Sequence, residues 1–214
     1  TKCRISRNTI KASYKLYINF MRGIGLLTYA IKGREYMPTS GQLVIANHPS
    51  LLDVVFLISA IRDSNCIVKD GLFKNPFTRP PIKAAKFIRN NSENLMEECV
   101  SSLQENAPLI IFPEGTRSNP GDQVKFQRGA ANIIIASSCE VVPVIITCSP
   151  ATLLKNQKWY QIPASPPHFE LTFQPPIKFG VYASSEDPQC KVARRLTKDL
   201  ETYFNQHPLL NSAS

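Results

Sequence analysis

Several signatures of common enzyme and membrane-protein classes are missing from this sequence of 214 residues. It contains no Gly-x-Ser-x-Gly motif and no His-Glu-x-x-His motif, which argues against serine esterases and zinc peptidases. It contains no Cys-x-x-Cys pair, so we expect no structural zinc site. No run of about 18 uncharged apolar residues occurs, so we expect no membrane-spanning segment in the sequence as given. A membrane anchor upstream of Thr1 stays open, because the sequence does not begin with Met.

The cysteine usage does not suggest a disulfide framework. The chain has six cysteines, most of which lie among apolar neighbours; the six are Cys3, Cys66, Cys99, Cys139, Cys148 and Cys190. A reduced thiol in such surroundings behaves as a small hydrophobic side chain. We therefore expect a reducing compartment.

Acidic residues are scarce relative to basic ones. The chain has 25 Lys and Arg against 16 Asp and Glu, which gives a net charge of +9. This excess predicts an anionic partner, which could be nucleic acid, an acidic membrane surface or a phosphorylated substrate. The 11 Phe, 7 Tyr and single Trp are not interleaved with basic residues as in nucleic-acid platforms, so we expect no nucleic acid partner. An inactive module that binds acidic lipid or RNA is kept as an alternative.

The N-terminal segment is basic and amphipathic. Residues 1–34 hold eight Lys or Arg and no acidic residue. Spacings of four and three among apolar residues predict one helix over residues 4–32, with a stripe made of Ile10, Tyr14, Tyr17, Met21, Ile24, Thr28 and Ile31. Such a helix is typical of a segment that lies on an acidic membrane, although it could equally pack on the domain with its charges in water. We divide the chain into this N-terminal helix, residues 1–34, and a main domain, residues 35–214.

Short apolar runs alternate with helical patterns along the main domain, which indicates an α/β fold. Strands are predicted at residues 43–46, 66–69, 109–112, 141–146 and 169–173. We expect a single domain with a mixed, mostly parallel central sheet and helices on both faces. Residues 71–81 are expected to be an irregular loop because of their prolines. Residues 141–146 are expected to form a central strand in which Pro143 takes an end or edge position.

A histidine and an aspartate follow the first of these predicted strands. His48 comes two residues after the apolar run, and Asp53 lies five residues later, near the start of a predicted helix. The positive end of the helix dipole favours a neutral imidazole that can accept a proton. A carboxylate at Asp53 could hold Nδ1–H of that ring, so the two residues are candidates for a catalytic base and its orienting partner. The alternative is helix capping by His48 and a dipole contact by Asp53.

A second polar stretch, Phe-Pro-Glu-Gly-Thr-Arg-Ser at residues 112–118, follows the third predicted strand. Gly115 permits a positive φ or a close backbone approach, and Arg117 offers a planar fork for two phosphate oxygens. Thr116 adds a hydroxyl, and Glu114 can hold the arginine or receive a substrate hydroxyl. Further cationic side chains precede a predicted helix N-terminus, at Lys125 and Arg128. We predict a phosphate-binding loop; the alternative is a turn closed by a Glu114–Arg117 ion pair.

A neutral histidine, an aspartate and a phosphate clamp, without a nucleophilic Ser or Cys, suit direct acyl transfer. The base deprotonates a bound hydroxyl as that hydroxyl attacks an acyl thioester. The clamp holds the acceptor's phosphate at a fixed distance from its hydroxyl. Such a reaction requires no metal and no cofactor.

The His48-x4-Asp53 block and the block at residues 112–118 resemble those of the lysophospholipid and glycerol-phosphate acyltransferases, the family of 1-acylglycerol-3-phosphate acyltransferase. The resemblance extends over roughly residues 41–150 and implies the fold of that family. It implies transfer of a fatty acyl group from acyl-CoA or acyl carrier protein to a lysophospholipid. The acceptor we expect first is 1-acylglycerol-3-phosphate, which would give phosphatidic acid; glycerol 3-phosphate, another lysophospholipid or a lyso-aminolipid are the alternatives.

The resemblance also implies roles for individual residues. His48 would be the base, Asp53 its partner, and residues 114–117 the site for the acceptor phosphate. Arg89 aligns with an arginine that helps to bind the acceptor, and the strand around Val142-Pro143 would shape the acyl-donor site. Membrane association through an N-terminal helix is a further family trait, which implies a place on the cytoplasmic face of a membrane, peripheral or anchored by upstream residues.

Overall fold

The computed structural model describes residues 2–119, 122–155, 157–158, 161, 163–179 and 187–211. In chain order, α1 to α8 are Lys2–Gly23, Asp53–Ala60, Gly71–Lys74, Arg79–Ala85, Leu95–Gln104, Gly129–Ser137, Gln189–Asn205 and Pro208–Asn211. Strands β1 to β7 are Thr28–Lys32, Leu43–Ala46, Asn65–Val68, Ile88–Arg89, Leu109–Ile111, Val141–Ser149 and His168–Phe173. A 3₁₀ turn covers Arg34–Tyr36.

The strands form one seven-stranded sheet in the order β1-β7-β6-β2-β5-β3-β4. Strands β6, β2, β5, β3 and β4 are parallel to one another, whereas β7 is antiparallel to β6 and parallel to β1. The carboxyl ends of the five parallel strands therefore share one edge of the sheet, here called the carboxyl edge. The predicted α/β fold with a mixed, mostly parallel sheet is confirmed.

Helices cover both faces of the sheet. Along β2, Val44 and Ala46 pack in the layer with α2, whereas Leu43 and Ile45 pack in the layer with α5, α6 and α7. This alternation follows from the period of two along a strand. All four residues of β2 are buried, as is expected for a central parallel strand covered on both sides.

The predicted helix over residues 4–32 is wrong beyond Gly23, where α1 ends. Gly25 follows with φ of +77°, a conformation that favours glycine and does not continue a helix. Residues 28–32 instead form β1, which is paired with β7 from Thr28 opposite His168. The buried face of α1 also differs from the predicted stripe, because Ile18 is buried while Tyr17 is 44% exposed. Among the described residues, no helix is long and apolar enough to cross a bilayer.

Two expectations based on prolines were also wrong. Residues 71–81 contain α3 and the start of α4, because Pro80 and Pro81 occupy the first turn of α4, where an N–H has no intrahelical partner. Pro143 lies within the interior strand β6, in register with Ile45. On its other side, the pairing of β6 with β7 begins only at Val144, so the missing N–H of Pro143 falls beyond that ladder.

Candidate active site

The two motifs meet at the carboxyl edge of neighbouring strands. His48 follows β2, Glu114 follows β5, and these strands are paired side by side. Adjacent strands lie about 4.8 Å apart, which brings together residues that are far apart in the sequence. The contacts below are all made at this edge.

His48 and Asp53 form a hydrogen-bonded pair. His48 Nδ1 lies 2.9 Å from Oδ2 of Asp53, which is the first residue of α2 and is fully buried. The same carboxylate oxygen accepts the backbone N–H of Ser50 at 2.6 Å. A carboxylate partner at Nδ1 favours the tautomer with Nδ1–H and leaves Nε2 as the proton acceptor. The His48 side chain is 19% exposed, so the ring is accessible from the carboxyl edge.

Burial raises the pKa of the Asp53 carboxyl, while its hydrogen bond from His48 opposes that shift. The second oxygen, Oδ1, is buried and has no hydrogen-bond partner among the described residues. Desolvation therefore penalises this carboxylate unless a positive charge forms nearby. Protonation of His48 would supply such a charge at 2.9 Å.

Phe112 fixes the plane of the His48 ring. The two rings are stacked with centroids 4.3 Å apart and an interplanar angle of 27°. Because the ring is held by Phe112 on one face and by Asp53 at Nδ1, its Nε2 has a defined direction.

Asn47 is a positioning residue that the sequence analysis missed. Its side chain is buried, donates to the carbonyl of Ile146 at 2.8 Å and accepts the N–H of Ile146 at 2.7 Å. These two hydrogen bonds to the backbone of β6 fix the end of β2 immediately before His48. The sequence gave only a weak indication of this role: an amide side chain at the end of a buried apolar strand is expected to hydrogen-bond a neighbouring backbone group.

Glu114 joins the two motifs through the backbone of His48. Its Oε1 accepts the His48 N–H at 2.8 Å, and its Oε2 accepts the hydroxyl of Ser118. The Ser118 N–H in turn donates to the His48 carbonyl at 3.0 Å. Burial raises the pKa of the Glu114 carboxyl to about 7. The alternative of a turn closed by a Glu114–Arg117 ion pair is therefore wrong, since both carboxylate oxygens have other partners.

Arg117 is half-buried and is bonded to a later segment of the chain. Its Nη1 donates to the carbonyl of Leu153 at 2.5 Å and its Nη2 to that of Lys155 at 3.3 Å. A guanidinium has five N–H donors, so donors remain for an anionic ligand. Burial raises the pKa of the Asp53 carboxyl, and the charge of Arg117 is among the smaller effects that oppose this rise.

Gly115 shapes the loop between Glu114 and Arg117. Its φ is +68°, and a Cβ at this position would collide with the side-chain amide of Gln127. The N–H of Gln127 donates to the carbonyl of Pro113 at 2.8 Å. This contact brings the N-terminus of α6, with the exposed side chain of Arg128, beside the loop.

The structure separates Arg89 from the remaining predicted residues. His48, Asp53 and residues 114–117 share one site, with Arg128 beside them, whereas Arg89 lies in β4, three strands from β2, or about 14 Å away. The Arg89 guanidinium lies 3.6 Å from Asp70 and 4.3 Å from the centroid of the Phe73 ring. Lys125 is exposed.

A cavity of about 170 Å³ opens beside the paired motifs. It is lined partly by Asn47, Pro49 and Ser118 and partly by later residues, including Thr147, Thr152 and Leu210. Sequence reasoning gave no sign of it, because its walls come from segments that are far apart in the chain. Among the described residues, no cluster of three or more His, Cys, Asp or Glu could hold a metal ion.

Comparison with known proteins gives consistent results. Over 124 residues the chain is 32% identical to a 1-acyl-sn-glycerol-3-phosphate acyltransferase of Chlamydomonas reinhardtii, a match that spans 54% of this chain and 37% of that protein. It is 31% identical over 116 residues to a 1-acyl-sn-glycerol-3-phosphate acyltransferase of Helicobacter pylori, across 50% of this chain and 49% of that protein. The chain thus spans less than half the length of these relatives.

The fold has a counterpart among solved structures. The crystal structure of the 1-acyl-sn-glycerophosphate (LPA) acyltransferase PlsC from Thermotoga maritima superposes with a TM-score of 0.69, covering 94% of this chain and 82% of that chain at 22% identity. Residues 29–147 match the sequence model of the Acyltransferase family, and this range contains both motifs. The chain therefore belongs to the Acyltransferase family.

Proposed function

We propose that this protein is an O-acyltransferase that moves a fatty acyl group from an acyl thioester to the free hydroxyl of a lysophospholipid. The donor would be acyl-CoA or acyl carrier protein, and the acceptor 1-acylglycerol-3-phosphate, which gives phosphatidic acid. The observation that carries the proposal is the His48–Asp53 pair at 2.9 Å beside the loop of residues 114–117. The names of the Chlamydomonas and Helicobacter relatives support the choice of acceptor.

His48 is the proposed general base. Its Nε2 takes the proton of the acceptor hydroxyl while the hydroxyl oxygen attacks the thioester carbonyl. The new C–O bond forms, the C–S bond breaks, and the leaving thiolate receives the proton from the imidazolium. Asp53 stabilises that imidazolium and holds the tautomer, a type of assistance that contributes about 10²–10⁴ in rate.

The cationic side chains beside His48 are the proposed site of the acceptor phosphate. Arg117 and Arg128 supply charge, and Gly115 and Thr116 allow the phosphate to approach the backbone and a hydroxyl. Arg89, about 14 Å from β2 by strand spacing, would contact a more distant part of the acceptor. A phosphate held here fixes the distance between the acceptor hydroxyl and His48.

The proposed partners also include a phospholipid membrane surface. The basic helix α1 exposes Leu16, Phe20 and Lys15, which supports contact with anionic lipid. We place the protein on the cytoplasmic face of a membrane, held peripherally or by residues upstream. The six free cysteines agree with a reducing compartment.

The test is transfer of a labelled acyl chain to a panel of acceptors. The purified protein is incubated with long-chain acyl-CoA or acyl carrier protein and with 1-acylglycerol-3-phosphate, glycerol 3-phosphate, other lysophospholipids or a lyso-aminolipid. We expect one diacyl product, which His48→Ala abolishes and Arg117→Ala reduces mainly through a higher KM for phosphorylated acceptors. No transfer from either donor to any acceptor would refute the proposal and favour the inactive lipid- or RNA-binding module.

A further inference from the structure

Exposed apolar side chains from three separate segments converge on the carboxyl edge. Leu51 lies in the turn between His48 and α2, and Leu72 lies in α3, directly after β3. Phe77, in the connection between α3 and α4, is 88% exposed. Since β2 and β3 are both parallel to β5, all three side chains are near the edge at which His48 lies.

The C-terminal end of α1 reaches the same edge. The segment after α1 enters β1 at Thr28, which pairs with His168, and His168 lies opposite Ser149 at the carboxyl end of β6. The exposed apolar residues of this end are therefore close to the carboxyl edge: Phe20, Ile24 and Leu26. The N-terminal end of α1 lies at the opposite edge, because Arg7 contacts Asp63, just before β3 begins.

Basic residues flank the connection between α3 and α4, residues 75–78, here called the Phe77 loop. Residues 69–89 contain six Lys or Arg and one acidic residue, Asp70. Lys69, Lys74 and Arg79 are exposed and close in sequence to Leu72 and Phe77, and the ammonium of Lys74 also lies 3.0 Å from the carboxylate of Asp70. By contrast, two of the basic residues of α1, Arg4 and Arg7, face Asp63 and tie the helix to the domain. Exposed apolar side chains flanked by cations are complementary to an anionic lipid surface.

We infer that the carboxyl edge of the sheet docks on an anionic phospholipid bilayer, with the Phe77 loop as an anchor separate from α1. In this orientation the mouth of the His48 site faces the lipid, and α1 meets the bilayer by its C-terminal end instead of lying flat. The inference rests on the proposed function, since a lipid acceptor would then enter the site directly from the membrane.

Two matched variants test the orientation. Phe77→Ser removes the exposed aromatic ring at the carboxyl edge. Ile5→Ser removes an apolar side chain of α1 that is 64% exposed. Ile5 lies on the same outer face of α1 as Phe20, about 22 Å from Phe20 along the helix axis. Binding of the purified chain to phosphatidylcholine vesicles with and without phosphatidylglycerol is measured by flotation, without substrates. Phe77→Trp serves as the conservative variant.

We expect the protein to bind only vesicles that contain phosphatidylglycerol. Phe77→Ser should weaken this binding about tenfold, whereas Phe77→Trp and Ile5→Ser should leave it unchanged. An equal loss with Ile5→Ser would show that α1 lies flat and would overturn the inference, as would undiminished binding of Phe77→Ser. If Phe77→Ser changed only the mass in solution, the loop would be an interface with a second copy, and the inference would again be wrong. Transfer to a short-chain acceptor dissolved as monomers tests the proposed function separately, because it needs no vesicle.

Discussion

The backbone N–H of His48 donates a hydrogen bond of 2.8 Å to the carboxylate of Glu114, 66 residues away in the sequence. The same carboxylate accepts the hydroxyl of Ser118, whose N–H returns to the His48 carbonyl. Both backbone groups of His48 are thus held by the loop that is proposed to bind the acceptor phosphate. Displacement of that loop would move the proposed base, which makes Glu114 a positioning residue.

Glu114→Gln and Glu114→Ala are expected to differ in activity. Glutamine can still accept the His48 N–H and can donate to the Ser118 hydroxyl, whereas alanine leaves a part-buried N–H without its partner. We expect Glu114→Gln to retain kcat within about fivefold and Glu114→Ala to lower it by about 10²-fold, on the scale of misplacement effects. Steady-state kinetics of both variants, with the exposed Glu93→Ala as a control, provide the comparison. Equal losses in both would instead point to a role for the charge.

Glu114 is also expected to make stability depend on pH. Its pKa is raised by burial from 4.5 to about 7, so between these values the folded state binds more protons than the unfolded state. The unfolding free energy contributed by this group therefore falls as pH rises from about 4.5 to 7 and levels off above. Glu114→Gln lacks this contribution, so its stability relative to the wild type should increase across the same range. Urea denaturation of both proteins from pH 5 to 8 measures the difference; a constant difference would contradict the prediction.

The sequence predicted the parts of the molecule that depend on local pattern. Apolar runs such as residues 43–46 form strands because burial on both faces requires a continuous apolar sequence. The pairing of His48 with Asp53 could be anticipated because a side chain in the first turn of a helix can point back toward the end of the strand that precedes the helix. The sequence identified the charged residues of the loop at residues 114–117, but it did not predict which groups they contact.

What the sequence did not reveal depends on contacts between distant segments. Arg117 suggested a partner in Glu114, three residues earlier, yet it bonds the carbonyls of Leu153 and Lys155. Thr28 continued a helical spacing, yet pairing with β7 makes it the start of a strand. In both cases a tertiary partner overrode what the local sequence pattern suggested.

Asp53→Asn is expected to abolish most activity without loss of stability. The single oxygen of an asparagine can still accept both the Ser50 N–H and Nδ1–H of His48, because one oxygen of Asp53 makes both contacts, but a neutral amide supplies no negative charge to stabilise the imidazolium that forms when His48 takes the proton. We expect kcat to fall by about 10²-fold or more. Because the buried carboxylate has an unpaired Oδ1, its replacement by a neutral amide should leave the urea midpoint unchanged or raised.

A double variant separates this effect from unfolding. In a His48→Ala background, Asp53→Asn should have little further effect on the residual rate, because the two residues act as one unit. Additive losses, or a lower urea midpoint that accounts for the lost activity, would contradict the assigned role of Asp53.

Asn47→Leu is expected to be the most destabilising of these substitutions. Leucine fits a similar volume, but it leaves the N–H and the carbonyl of Ile146 buried without partners. Each such group costs about 1–3 kcal/mol, so we expect a loss of about 2–4 kcal/mol in the unfolding free energy. The exposed Asn91→Leu is the matched control, for which a change within about 0.5 kcal/mol is expected. Because Asn47 sets the end of β2, the variant should also lower kcat at temperatures where it is fully folded; normal kcat with reduced stability would limit Asn47 to a structural role.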